Sequence, residues 1–379
     1  MMAEKIKLTL PAETITPVER VKPGLLPEET IPAPPGKISF TEEELREILL
    51  RAQARIKIIG VGGAGCNTIT RMTEIGITGA ETIAINTDAQ DLLYTTAGRK
   101  ILIGKTTTGG LGAGNDPEKG REAAKEDLEL LKNVLYGAHM VVVTCGLGGG
   151  TGTGATPVIT ELSRRMGILT VAVVTLPFTV EGKRRRENAL RGLNELKQSA
   201  DAIVVIPNDR LLQLSPDISI SEAFRKCDTI LTNAVKGITE SITKPGLINL
   251  DFADVRAVLQ NAGISAISVA ESDAENRGED VVKQAIHNPL LDVDVTNARG
   301  ALVNLIASDI TITEAEMIVR KFQELLNPDA QLIWGAQVCK EMKNTLRLVA
   351  LLAGVYSPYA APERKRIKPG ELDLGLKRL

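Results

Sequence analysis

The chain has 379 residues, 43% apolar and 24% charged, with a net charge of -2, the make-up of a soluble globular protein large enough for two domains. Near-neutral charge and only 3% aromatic residues argue against non-specific nucleic-acid binding, which needs a basic footprint and stacking platforms. Two histidines and four scattered cysteines with no CxxC pair argue against a His-based metal cluster, a Ser-His-Asp triad, a zinc site or a disulfide framework.

No run of 18 apolar residues is present, so no membrane-spanning segment is expected, and Met1 to Leu10 lacks the apolar centre of a secretory signal. Prolines at 11, 17, 23, 27, 32, 34 and 35 make residues 1–40 an extended, weakly ordered tail. Thr41 and Glu44 form a capping-box pair ahead of Leu45, Ile48, Leu49 and Ala52, which predicts a short helix docked on the domain after it.

Arg55 to Val61 reads as a strand running into Gly60-Val-Gly-Gly-Ala-Gly-Cys-Asn67, with a helix to about Ile75. Gly60, Gly62 and Gly65 satisfy GxGxxG in a strand–turn–helix setting. A second strand, Thr82 to Asn86, ends in Asn86-Thr-Asp88, about where a Rossmann enzyme places its ribose acid, so a nicotinamide-dependent oxidoreductase stands as an alternative. Asn67 either caps the helix or touches the ligand. A third strand, Lys100 to Ile103, precedes Gly104-Lys-Thr106, but a Walker A loop needs glycine at 99, where the chain has Arg99, so Lys105 is an ordinary loop lysine. Gly109-Gly-Leu-Gly-Ala-Gly-Asn-Asp116, ahead of Pro117 at a helix start, is either a lid or a connector.

The apolar run from Val141 ends in glycines at 146, 148, 149, 150, 152 and 154, with Thr151 and Thr153 between the last of them. Ala155-Thr-Pro157 then opens a helical spacing: Val158, Ile159, Leu162, Met166. Side-chain-free backbone N–H groups beside a helix N-terminus form an anion cradle, and the hydroxyls can reach phosphate or a phosphate-bound magnesium. His139, opening that strand, is read as structural. Ile168 to Leu176 is almost wholly apolar, as in a parallel sheet covered on both faces. In Glu181-Gly-Lys-Arg-Arg-Arg-Glu187 the basic residues are either a solvated helix face or, with Glu181, a ribose and phosphate grip. Ala202 to Ile206 is the next strand, followed by Pro207-Asn208.

Ser219 to Ile242 has the apolar stripe of one long helix, broken at Lys244-Pro-Gly246. In Asn249-Leu-Asp-Phe-Ala-Asp254, Asp251 is a natural N-cap and Asp254 falls at N3 on the same face. Residues from about Ile264 to Tyr356 alternate strands (266–270, 301–307, 331–338, 344–352) with helices (280–286, 313–326) and form a second α+β domain. A basic linker and a leucine-bearing end, Glu371 to Leu379, come last as either a docking peptide or a frayed tail.

Gly148-Gly-Gly-Thr-Gly-Thr-Gly154 resembles the tubulin-superfamily signature. Gly60 to Asn67, Asn86-Thr-Asp88, Pro177-Phe with Glu181 to Arg185, and Asn249 to Asp254 are similar to the corresponding loops of the FtsZ family of prokaryotic tubulin homologues. The ordered match spans about residues 55–356, and the long N-terminal extension departs from it.

The resemblance implies an α/β fold. A Rossmann-like, mostly parallel GTPase domain (41–218, with the N-terminal helix) is followed by a central helix (219–244), an α+β domain (245–358) carrying the catalytic loop, and a tail (359–379). It implies GTP and GDP as ligands, with Mg2+ held mainly by their phosphates. Phosphates would lie on Gly62, Gly63, Ala64, Gly65, Cys66 and Asn67 and on Gly148, Gly149, Gly150, Thr151, Gly152, Thr153 and Gly154. Asn86 would join that site, with Gly110, Gly112 and Gly114 above it. Glu181 and Arg185 would hold ribose and phosphate. Asn208 and Asp228 would contact guanine, Asp228 accepting from N1–H and the amino group, which adenine cannot match. With no general base or P-loop lysine in these loops, Asp251 and Asp254, with Asn249 as accessory, would act on the neighbouring subunit's nucleotide in a head-to-tail homopolymer. The expected setting is the cytoplasm at the midcell division site, with an anchor or adaptor protein on the C-terminal tail and no direct membrane insertion. A tubulin-like GTPase shaping the cell, or a non-hydrolysing scaffold of the same fold, are the other readings.

Overall fold

The computed structural model describes Thr41 and residues 54–210, 219–244, 246–287 and 295–360. The proline-rich tail, the helix expected after Thr41 and the basic C-terminal segment lie outside the described residues. From Ile56 onward the elements belong to one unit, Ala52–Leu379.

Six strands come first: β1 (Ile56–Val61), β2 (Ala80–Asn86), β3 (Arg99–Leu102), β4 (Met140–Gly146), β5 (Leu169–Leu176) and β6 (Ala202–Pro207). They pair in parallel in the order β3-β2-β1-β4-β5-β6. The central β4 and β5 are buried along nearly their whole length because both faces are covered. Val141 and Val143 enter one core cluster, while Met140 and Val142 enter another on the opposite face. Helix α1 (Gly62–Ile75) lies in the second cluster through Ile69 and Met72.

Other helices are shorter: α2 (Ala89–Tyr94), α3 (Lys105–Thr108), α4 (Pro117–Glu126) and α5 (Leu128–Leu135). Then come α6 (Thr151–Arg165) and α7 (Lys183–Ser199). Helix α6 starts at Thr151, so Pro157 sits inside it rather than at its opening. Its first turn is poor helix sequence held by contacts: Gly148 N donates to Thr153 Oγ1 at 2.8 Å, and Gly154 packs on α4.

The long helix α8 (Ile220–Thr243) is capped by Ser219, which accepts from Glu222 N. Leu231, Ala234, Val235 and Ile238, spaced for one face, bury against the parallel strands. Beyond it lie α9 (Phe252–Leu259), β7 (Gly263–Ser272), α10 (Arg277–Ile286), β8 (Gly300–Ala307), α11 (Ile312–Leu325), β9 (Gln331–Val338) and β10 (Leu346–Ala353). Strand β10 runs antiparallel between β7 and β8, and β9 pairs parallel with β8. The two expected strand groups join at one seam, where β6 pairs with β7 from Ala202↔Gly263 to Val204↔Ser265. One ten-stranded sheet results. Among the described residues no helix is long and apolar enough to cross a membrane.

Candidate functional site

The carboxyl ends of β1, β2, β4, β5 and β6 open onto one cleft of about 630 Å³, lined by Val61, Asn86, Gly146, Thr175 and Asn208 among others. This is where a doubly wound sheet places a ligand. Two glycine loops meet in its floor. Gly62 has φ +71°, and a Cβ there would lie 2.9 Å from Gly152 N, so a side chain would force the loops apart. Gly62, Gly63 and Ala64 from one loop and Gly149, Gly150, Thr151 and Gly152 from the other line the cleft. Both α1 and α6 start here, and the N–H groups of a first helical turn have no partner inside the helix.

Gly112 and Gly114 form a third wall. Their loop is fastened where Ala89 N donates to Gly110 O at 2.9 Å and Gly112 N donates to Thr87 O at 3.1 Å. The Gly104-Lys-Thr106 turn faces elsewhere: Thr106 N and Thr107 N donate to Glu126 at 2.8 and 2.9 Å. Those bonds hold the Glu126 carboxyl down at about 2.

Glu181 and Arg185 line the opposite wall and pair with each other, while Phe178 N donates to Glu181 Oε1 at 2.8 Å. Asn208 is 5% exposed, and its Oδ1 has no partner within the protein. Neither has Oδ1 of Asn115, another lining residue. Orphaned buried acceptors in a cleft point to donors on a ligand. Asp228 faces in from α8, with Thr68 Oγ1 donating to its Oδ1 at 3.3 Å. Burial lifts its carboxyl to about 6, opposed by Thr68 and the charge of Arg71. Asp91 is also raised, by burial and then by Asp88, against a hydrogen bond from Asn86 Nδ2 at 2.6 Å. Asp88, Asp91, Glu181 and Asp228 face a single guanidinium, Arg185, in this lining. An anionic ligand therefore rests on backbone N–H groups and favours an accompanying cation.

Gly65, Cys66, Asn67, Gly110, Gly148, Thr153 and Gly154 do not line the cleft. Gly65 turns against Gly60 and Thr144. Cys66 is buried beneath Asn86 and accepts from its Nδ2 at 3.8 Å. Asn67 lies in the second turn of α1 and is exposed, so it neither caps that helix nor reaches the site. A Cβ on Gly154 would lie 1.9 Å from Pro117 O, so this glycine lets α4 approach α6.

Asp91, Thr175, Phe224 and Cys227 join the site although no sequence motif marked them, and Asn115 joins it from within the Gly109 to Asp116 loop. Phe224 had a legible signal, since it lies four residues before Asp228 on one helical face. Its ring meets Phe178 edge-on at 5.2 Å.

Asn249, Asp251 and Asp254 are elsewhere. Asp251 caps α9, accepting from Ala253 N at 3.2 Å, and Asn249 Oδ1 accepts from Gly246 N at 2.6 Å. In α9, Phe252 meets the ring of His139 at 6.1 Å, and Arg256 donates to His139 O and to Gly167 O. His139 and Gly167 stand just before the first residues of β4 and β5. The acidic pair thus sits at the amino end of the strands whose carboxyl ends form the cleft. The seven residues of β4 alone put about 20 Å between the two ends.

Residues 55–216 match the family model described as Tubulin/FtsZ family, GTPase domain, and residues 263–356 match the FtsZ family, C-terminal domain. The cell division protein FtsZ 1 of Pyrococcus horikoshii is 50% identical over 364 residues, covering 94% of this chain and 97% of that protein. The cell division protein FtsZ of Methanothermobacter thermautotrophicus is 54% identical, covering 85% of this chain and 84% of that one. The solved empty FtsZ dimer of M. jannaschii superposes with a TM-score of 0.78 at 51% identity, covering 82% of this chain and 91% of its own.

Proposed function

The chain belongs to the Tubulin/FtsZ family, and from that premise we propose that it is a cell-division GTPase whose hydrolytic centre is completed only where one subunit meets the next. The observation that carries this is the distance between cradle and acidic pair: one molecule holds both, at opposite ends of its sheet.

In the cleft, Asp228 accepts from the guanine N1–H and amino group, and the orphaned Asn208 Oδ1 accepts a further base or ribose donor. The ring of Phe224 lies one helical turn from Asp228 and covers the base. Glu181 takes the ribose hydroxyls, and the two glycine loops hold the phosphates. Oxygen donors suit Mg2+, which characteristically takes one or two carboxylates plus substrate phosphates. Asp88 and Asp91, on the cleft wall, would hold it, and bound there it would neutralise phosphate charge.

The cleft's own carboxylates are taken up by the ligand in this reading, Asp228 by the base, Glu181 by the ribose, and Asp88 and Asp91 by the cation. Asp251 and Asp254 of the next subunit orient the attacking water at the γ-phosphorus as the bridging bond to the β-phosphate breaks, and Asn249 reaches the same nucleotide. Exposed apolar residues stand at both ends: Leu111, Val180 and Phe224 around the cleft, Leu247 and Ile248 beside the acidic loop. Such ends stack head-to-tail into open filaments. The setting is the cytoplasm at the division site, with a membrane adaptor on the C-terminal tail.

Mixing two inactive variants tests this. Asp251→Ala should bind GTP without turning it over. Gly149→Trp should block the cleft, since Gly149 lines it and has open space around its Cβ direction. Together they should recover part of the phosphate release. Full hydrolysis by protein kept monomeric would refute the shared centre.

A further inference from the structure

Behind the Glu181–Arg185 wall lies a second, smaller pocket of about 60 Å³. It is lined by Leu176, Pro177, Thr179, Arg186, Leu190 and Asp209, with the half-buried Tyr359 as a further wall. Tyr359 belongs to the single turn Pro358–Ala360, the last described element of the chain, and packs against the core of the parallel half of the sheet.

The partition between the pockets is about one residue thick. Pro177 lines both. Asn208 faces the cleft and its neighbour Asp209 faces Tyr359's pocket; Arg185 faces the cleft and Arg186 the pocket. The partition is also stitched: Asp209 accepts from Thr179 N at 2.9 Å and from Thr179 Oγ1 at 2.6 Å. That fixes the turn Thr179–Glu181, whose last residue is a cleft carboxylate. Removing the ring of Tyr359 leaves Leu176, Pro177 and Leu190 to collapse toward the space it fills, and such a shift moves Asn208, Glu181 and Arg185 with it.

We propose that Tyr359 is a positioning residue for the nucleotide site: from the far end of the chain it sets the wall that holds ribose and base. This rests on the nucleotide reading of the cleft. By reciprocity, a nucleotide that prefers one position of that wall changes how firmly Tyr359 is seated, and so couples the cleft to the exit point of the C-terminal tail.

The test is titration of the full chain with a fluorescent N-methylanthraniloyl-GDP, alongside thermal unfolding without nucleotide. Tyr359→Ala should weaken binding by about five- to tenfold. Tyr359→Phe, which keeps the ring, should stay within about twofold. In turnover the Ala variant should raise KM with kcat nearly unchanged, because the acidic pair is not touched. Leu190→Ala, which opens the same pocket from helix α7, should weaken binding in the same direction and decides the matter if Tyr359→Ala does not fold. A lowered Tm with unchanged GDP affinity in the variants would show a merely structural seat and overturn the inference. Failure of the parent chain itself to bind the probe would instead overturn the nucleotide reading.

Discussion

Asp228→Asn separates two consequences of one buried carboxylate. Burial raises the Asp228 carboxyl from 3.8 to about 6, against the pull of Thr68 and Arg71. The folded chain therefore holds this proton more tightly than the unfolded chain. The resulting stability is full below the unfolded pKa and is lost as pH rises through about 6. A shift of about two units sets the neutral-pH penalty at about 3 kcal/mol at most, and linkage leaves about 1 kcal/mol of it at pH 4.5. Asparagine is isosteric and uncharged, so nucleotide-free Asp228→Asn should resist denaturant better than the parent at pH 7.5, with most of the gain gone at pH 4.5.

Nucleotide binding should move the opposite way. Guanine donors need the ionised carboxylate, so the parent's Kd for GDP should rise about tenfold between pH 7.5 and 5, as the carboxylate protonates. Asp228→Asn should bind about 10- to 100-fold more weakly at pH 7.5, the cost of hydrogen bonds to a charged acceptor, and with a flatter pH profile. Urea titrations at the two pH values and calorimetric titration with GDP measure both. A variant that is less stable at pH 7.5, or that binds GDP with the parent's affinity and pH profile, would refute the assignment.

Asp254→Ala should behave like Asp251→Ala, retaining GDP affinity within about twofold while losing at least 100-fold in turnover, read by phosphate release. The parent's specific activity should climb steeply with protein concentration, which a dilution series checks. Gly154→Ala should destabilise the fold by about 2–4 kcal/mol, because its methyl would strike the backbone of Pro117, and chemical denaturation reports it. Cys66, Cys145 and Cys227 are buried, and burial pushes each thiol up to about 12. Thiol titration of the native chain at pH 8 should therefore find Cys339 first, with the other three reacting on unfolding.

The chain's local chemistry was open to reading because it acts within a few residues. Mostly apolar runs marked β4 and β5, and the stripe through Leu231 and Ile238 marked α8. Asp251 lies where its side chain could accept from Ala253 N. Helices α2, α3 and α5 escaped because four to eight residues are too few to show a helical period. Helix α6 began four residues early because tertiary contacts, not propensity, hold its first turn.

Which side of a loop faces the ligand was decided by packing. Gly152 and Gly154 look alike in sequence, yet one lines the cleft and the other touches α4. The rotation of α6 against the sheet separates them. Spacing along the chain, without the family resemblance, does not bring Asn208, Asp228 and Gly62 into one space, nor set Asp251 at the other end of strands about 20 Å long. Strand order β3-β2-β1-β4-β5-β6 gathers the carboxyl ends, and the seat of Arg256 on His139 and Gly167 fixes the acidic helix at the other end.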